Sequence, residues 1–134
     1  GAIAIGMLVA QELDVPFVYV RPEPKKHGRQ NQIEGFLPTG SNVVVIEDLI
    51  STGKSSLHAV EALNKAAVNV LGMLAIFTYG FGAADENFEE LNVELTTLSN
   101  YEHLIALAVA ENFVSKDQLE TLKLWRKEPS SWNQ

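Results

Sequence analysis

Two adjacent acids, Glu47 and Asp48, follow four apolar residues, Val43 to Ile46, and precede the turn Ser51-Thr52-Gly53-Lys54-Ser55. A turn of this composition that opens a helix offers backbone N–H groups and hydroxyls to a phosphate at the helix's positive end. The two carboxylates cannot hold that same phosphate, because like charges repel. They suit sugar hydroxyls, or a metal reached through water. Together the two halves describe a site for a phosphorylated sugar, with the diol on Glu47 and Asp48 and the phosphate in residues 51–55. Gly53-Lys54-Ser55 also matches the end of a nucleoside-triphosphate P-loop, but that motif needs glycine at position 48. Asp48 stands there, and its charge would face the phosphates the loop must wrap. The same residues also fit an acid pair that closes a strand before an ordinary β–α turn.

A second cluster lies upstream. Arg21, Lys25, Lys26 and Arg29, with His27, crowd a segment in which Glu23 is the single acid, while the whole chain carries a formal net charge of −7. A cationic segment on an anionic protein suits a small anionic ligand, since local potential governs a site more than net charge does. A solvated surface loop would have the same composition. The acidic balance argues against a domain that grips nucleic acid over a broad face. The chain has no cysteine, which excludes disulfides, thiolate metal sites and a cysteine nucleophile. No apolar run reaches the roughly 18–20 residues that span a bilayer, and no signal-like segment opens the chain.

These clusters need elements to position them, and 134 residues make one domain with a real core. Hydrophobic periodicity predicts a buried helix over Ala2–Leu13 and a short central parallel strand over Val15–Val20. Residues 21–41 are too broken by proline and glycine for a long element, and loops of that length tend to be lids or binding loops. A strand over Val43–Ile46 delivers the acids to its carboxyl end, where open α/β sheets place ligands. Further expectations are a helix over Ser55–Ala66, a strand within Val68–Tyr79, a helix over Ala83–Leu91 and a strand over Val93–Leu98. Helices over Tyr101–Glu111 and Lys116–Trp125 follow, with a frayed tail after Lys127. The alternation implies an α/β fold with a mostly parallel sheet flanked by helices. Met7 and Met73 read as core, His58 and His103 as surface or packing residues, and Trp125 and Trp132 as packing anchors or tail residues.

Residues 43–55 resemble the phosphoribosyl pyrophosphate (PRPP) signature of type I phosphoribosyltransferases: four apolar residues, two acids, two spacers (Leu49-Ile50), then a Ser/Thr-Thr-Gly-x-Ser/Thr loop. Upstream, YVRPEPKKHGRQNQIEG (Tyr19 to Gly35) resembles the mobile catalytic loop of orotate phosphoribosyltransferases, with Arg21, Lys25, His27 and Gly28 in the matching places. AIFTYGF (Ala75 to Phe81) and LKLWRKEP (Leu122 to Pro129) look like the bacterial branch of that family. Two departures stand out: Pro22 where many relatives carry lysine, and Arg29-Gln30-Asn31 in place of a more glycine-rich run.

The resemblance implies a single phosphoribosyltransferase domain over 1–134 with a Rossmann-like core, a lid loop over about 21–35 and the PRPP signature over 43–55. It implies the reaction orotate + PRPP ⇌ orotidine 5′-monophosphate + pyrophosphate in pyrimidine biosynthesis. Arg21, Lys25 and His27 would clamp the pyrophosphate, with Lys26 and Arg29 adding field strength. Glu47 and Asp48 would hold the ribose hydroxyls, and Leu49, Ile50, Ser51, Thr52, Gly53, Lys54 and Ser55 the rest of PRPP. Ser51 would also touch orotate. Mg²⁺ would arrive on PRPP without a direct protein ligand. A cytoplasmic homodimer is implied, its lid residues shared across the interface, with no nucleic-acid or membrane partner. Gly1-Ala2 resembles the last part of a pyrophosphate-binding loop. The expectation is therefore an amino-terminally truncated chain that lacks the orotate hood and is weakly active or inactive by itself. A non-catalytic PRPP-sensing regulator would keep 43–55 without needing the Lys-x-His-Gly lid. A phosphoribosyltransferase for another base would keep both.

Overall fold

The apolar runs beginning at Val43 and Val70 meet as neighbouring strands at the centre of the molecule. The computed structural model describes residues 1–23 and 31–132. In chain order these form α1 (Ala2–Glu12), β1 (Tyr19–Val20), β2 (Ile33–Glu34), β3 (Asn42–Ile50), α2 (Lys54–Lys65), β4 (Asn69–Thr78), α3 (Gly82–Glu90), β5 (Leu95–Asn100), α4 (Tyr101–Ala110) and α5 (Lys116–Lys127). A 3-10 turn spans Pro129–Ser131.

Strands β3, β4 and β5 lie side by side in that order and all run parallel, with Glu47 opposite Ala75 and Phe77 opposite Ser99. Parallel neighbours need crossover connections, and α2 and α3 supply them. The expected α/β architecture, a parallel sheet flanked by helices, is what forms.

Helix α2 is amphipathic: Leu57, Val60 and Leu63 turn inward while His58, Glu61 and Lys65 face solvent. In α3, Ala84 and Phe88 stand four residues apart and share the inward face. They close a core of Ile50, Leu57, Val60, Met73, Ala75, Ala84 and Phe88. Val45 packs against this core, whereas Ile46, its neighbour on β3, lies against Gly6 of α1. Strand side chains alternate between faces, so α1 covers the opposite face of the sheet from α2 and α3. Asn100 caps α4 by accepting from the His103 N–H, and Ser115 with Gln118 forms a capping box on α5.

Five expectations are corrected. Helix α1 is not enclosed: only Gly6 and Ala10 are buried, and Ile3, Met7 and Leu8 are about half exposed. Its small residues sit on β3, and nothing among the described residues covers the rest of its apolar surface. Met7 is therefore not core, at 49% exposed against 2% for Met73. Val15–Val20 is not a central parallel strand. Only Tyr19 and Val20 pair, antiparallel with Glu34 and Ile33, in a ribbon apart from the main sheet. Pro16 has no N–H to give a ladder, and Phe17 finds its packing against Gly6 of α1 instead. β3 does not stop at Ile46 but continues through both acids to Ile50. Finally, the tail is not simply frayed, since the 3-10 turn brings Trp132 to a hollow lined with Tyr101, Leu122 and Trp125.

Candidate functional site

Glu47 and Asp48 lie in the last turn-ward half of β3, and both are half-buried. Neighbours on a regular strand point to opposite faces, which places Glu47 on the face of Val45 and Asp48 on that of Ile46; the alternation breaks before Ile50, whose side chain is back in the core that Val45 packs against. Asp48 shares the α1 face with Ile46. Its carboxylate lies against Gly1, the N-cap of α1, so closely that a Cβ on Gly1 would collide with it. A carboxylate at that end of a helix is favourably placed. Asp48 Oδ1 also accepts a hydrogen bond from the Leu49 N–H at 2.9 Å.

Ile50 is fully buried at 0% exposure in the core, so only its main chain can face the site. Its carbonyl accepts from the Tyr79 N–H at 3.1 Å, which ties the start of the following turn to the end of β4. Leu49 is exposed.

The turn 51–53 then runs into α2. Gly53 is the N-cap, with φ +77°, a left-handed conformation that favours glycine. It is buried beneath Phe88, whose Cε2 would lie 2.6 Å from a Cβ at this position. No side chain caps α2 and no acid occupies its first turn, which Lys54 opens with a cation. The helix therefore presents free-standing positive potential from its N-terminal amides, without the carboxylate that usually offsets it. Ser51, Lys54 and Ser55 are exposed and Thr52 is half-buried. The N-terminus of α2 thus follows directly on the acids of β3, and Asp48 in turn meets the N-terminus of α1. One end of the sheet thereby collects two helix N-termini and two carboxylates, complementary charges for a ligand that is anionic at its phosphates and hydroxylic between them.

The cationic segment is described only at its base. Arg21 follows β1; its N–H donates to the Gln32 carbonyl at 2.8 Å, and the Gln32 side chain donates back to the Arg21 carbonyl at 3.1 Å. The Arg21 guanidinium faces Glu34 at 3.7 Å and donates to the Glu23 carbonyl at 3.4 Å. Lys25, Lys26, His27, Gly28 and Arg29 lie outside the described residues. His58 and His103 are exposed on α2 and α4, as their positions in the sequence suggested.

Two residues that the sequence did not single out brace the site. Asn87 of α3 donates from Nδ2 to the Thr52 carbonyl at 2.8 Å. Arg126 of α5 donates to the Tyr79 carbonyl and the Gly80 carbonyl, each at 3.1 Å, and pairs with Glu102 at 2.8 Å. Its guanidinium also lies over the Tyr101 ring. Around it Tyr79, Phe81, Tyr101 and Trp125 form an aromatic cluster with centroids 5.4–6.1 Å apart. The hydrogen bond from Arg126 holds the Glu102 carboxyl below its usual range, and burial pushes the Tyr101 phenol up, partly offset by Arg126. The only hint of Asn87 in the sequence is that it is the one amide in the acidic stretch Asp85-Glu86-Asn87-Phe88-Glu89-Glu90.

Residues 1–111 match the phosphoribosyl transferase domain model. The chain is 54% identical over 127 residues to an orotate phosphoribosyltransferase of Cytophaga hutchinsonii, an overlap of 95% of this chain and 61% of that protein. Among solved structures, orotate phosphoribosyltransferase from Aeropyrum pernix superposes with a TM-score of 0.66 at 32% identity, covering 75% of this chain and 55% of that one. The Mycobacterium tuberculosis orotate phosphoribosyltransferase in complex with PRPP matches with a TM-score of 0.52 at 29% identity, covering 66% and 52%. The chain spans about three fifths of the length of the curated relatives it matches.

Proposed function

The chain belongs to the phosphoribosyl transferase domain family, and on that premise we propose that its protein transfers ribose 5-phosphate from PRPP to orotate, releasing pyrophosphate. The observation that carries this reading is the uncapped, acid-free start of α2 directly behind Glu47-Asp48. It fits a phosphate followed along one molecule by hydroxyls. The Lys-x-His-Gly lid and the relatives named for orotate favour this enzyme over a PRPP sensor or a transferase for another base.

In the reaction the anomeric carbon parts from a pyrophosphate oxygen and bonds to a ring nitrogen of orotate. Positive charge grows on the sugar and negative charge on the leaving group. The N–H groups and hydroxyls of residues 51–55 anchor the 5′-phosphate, with Ser51 also reaching the base. Glu47 and Asp48 hold the ribose hydroxyls and face the developing positive charge. Lys25, with His27 and Arg21, neutralises the leaving oxygens. Lid closure excludes water, which would otherwise hydrolyse PRPP. We assign the lid residues to the neighbouring site of a cytoplasmic homodimer.

Among the described residues no group of three or more His, Asp or Glu is placed to hold a metal ion. Mg²⁺ carried on substrate phosphates keeps most of its water and needs few protein ligands, so Glu47 and Asp48 would reach it only through water. When bound, the ion spreads the negative charge of the departing pyrophosphate.

Offering orotate, uracil, adenine and hypoxanthine in turn to the full-length gene product, with Mg²⁺ and PRPP, tests the acceptor. Turnover of orotate is expected, and preference for a purine would overturn the assignment. Lys25→Ala should lower turnover on the order of 10²–10³-fold while PRPP binding falls far less. Glu47→Gln with Asp48→Asn should instead weaken PRPP binding.

A further inference from the structure

We propose that Asn87 is a positioning residue for the 5′-phosphate turn, aiming the Gly53 N–H at the phosphate from the neighbouring helix α3. The inference rests on the reading that residues 51–55 take a phosphate, and it names what makes those residues competent.

The geometry is that of one peptide unit. The Thr52–Gly53 bond is trans, as are all peptide bonds described. In a planar trans peptide the carbonyl and the N–H point in opposite directions. Asn87 Nδ2 fixes the Thr52 carbonyl toward α3 at 2.8 Å, so the Gly53 N–H is directed away from α3, to the outer side of the turn where Ser51 and Ser55 are exposed. Phe88, the next residue of the same helix, packs against Gly53 and leaves no room for a Cβ. Two consecutive residues of α3 therefore hold one peptide, Asn87 by its dipole and Phe88 by its ring. With φ at +77°, Gly53 has wide conformational freedom of its own, and without Asn87 this peptide could rotate and turn its carbonyl oxygen toward the anion.

The residue type fits the task. Asp85, Glu86, Glu89 and Glu90 make the rest of α3 strongly acidic and face solvent. The position turned to the phosphate loop carries a neutral donor. An aspartate of the same shape would repel both the Thr52 carbonyl and a bound phosphate.

The test titrates the 134-residue chain with ribose 5-phosphate, following affinity by calorimetry and the Gly53 amide by ¹⁵N–¹H correlation spectra. Wild type should bind with a clear displacement of the Gly53 resonance. Asn87→Ala should bind about two- to tenfold more weakly, in the range expected for one lost hydrogen bond, with a smaller Gly53 displacement at saturation. Glu86→Gln on the same helix should match wild type. A role in stability alone would lower the melting temperature but leave the affinity and the Gly53 displacement of the folded protein intact, and that result overturns the inference. If Asn87→Ala does not fold, Asn87→Asp keeps the shape without the donor; it should bind more weakly still, and wild-type affinity would overturn the inference. Should wild type neither bind ribose 5-phosphate nor shift Gly53, the phosphate reading itself fails, and the inference with it.

Discussion

The β3–α2 turn and the β1–β2 ribbon carry the two halves of the proposed site, yet they are built in opposite ways. The turn grows out of a nine-residue strand paired in the parallel sheet, and its glycine is buried under a core aromatic ring. Its functional groups are mostly backbone amides, fixed wherever the backbone is fixed. The ribbon pairs two residues with two, and its arginine is engaged by a partly exposed glutamate 3.7 Å away. Its functional groups are the ends of long side chains. A phosphate that stays put through the reaction suits a rigid backbone cradle. A leaving group that must be covered and then released suits an arginine set beside a two-residue ribbon.

The comparison can be broken by energetics. Phe88 is core and also backs Gly53, so Phe88→Ala should destabilise the chain by about 3–5 kcal/mol in urea unfolding, the largest effect expected. Gly53→Ala forces a side chain into a left-handed, sterically closed position and should cost about 1–3 kcal/mol, together with most of the ribose 5-phosphate affinity. Arg126→Ala removes two carbonyl contacts near the end of β4, for roughly 1–3 kcal/mol, and breaks the exposed pair with Glu102. That pair also gives a pH signature. Glu102 is held below its ordinary carboxylate pKa when folded, so its contribution is present above that ordinary value and lost as pH falls through the lowered one. The acid limb of the stability profile should therefore flatten in Arg126→Ala. Smallest of all, Arg21→Gln in the ribbon should change stability by less than about 1 kcal/mol, because the Arg21 side chain is 39% exposed and meets a carboxylate only at 3.7 Å. A ribbon substitution that costs as much as the turn substitutions would erase the distinction.

Much of this contrast was readable before any coordinates. The order of β3, α2, β4, α3, β5, α4 and α5 followed from periodicity, and the turn 51–55 from its residue types beside an acid pair. What failed did so for physical reasons. Hydrophobicity reports a demand for burial but not which neighbour meets it, so Val15–Val20 was read as a sheet strand although Phe17 packs on α1. The all-round apolar α1 likewise signals cover on both sides, while the described residues supply one. β3 was expected to stop at Ile46 because the apolar run ends there, yet the strand continues through both acids to Ile50. Asn87 and Arg126 act on backbone carbonyls 35 and 46–47 residues away. No local spacing encodes such contacts.

We propose that the turn before α2 holds the 5′-phosphate of PRPP while Glu47 and Asp48 hold its ribose. A crystal structure of the chain with PRPP and Mg²⁺ tests it most directly. The phosphate should lie within hydrogen-bond distance of the N–H groups of residues 52–55, with the ribose hydroxyls on the two carboxylates. PRPP bound elsewhere, with that turn empty, would contradict it.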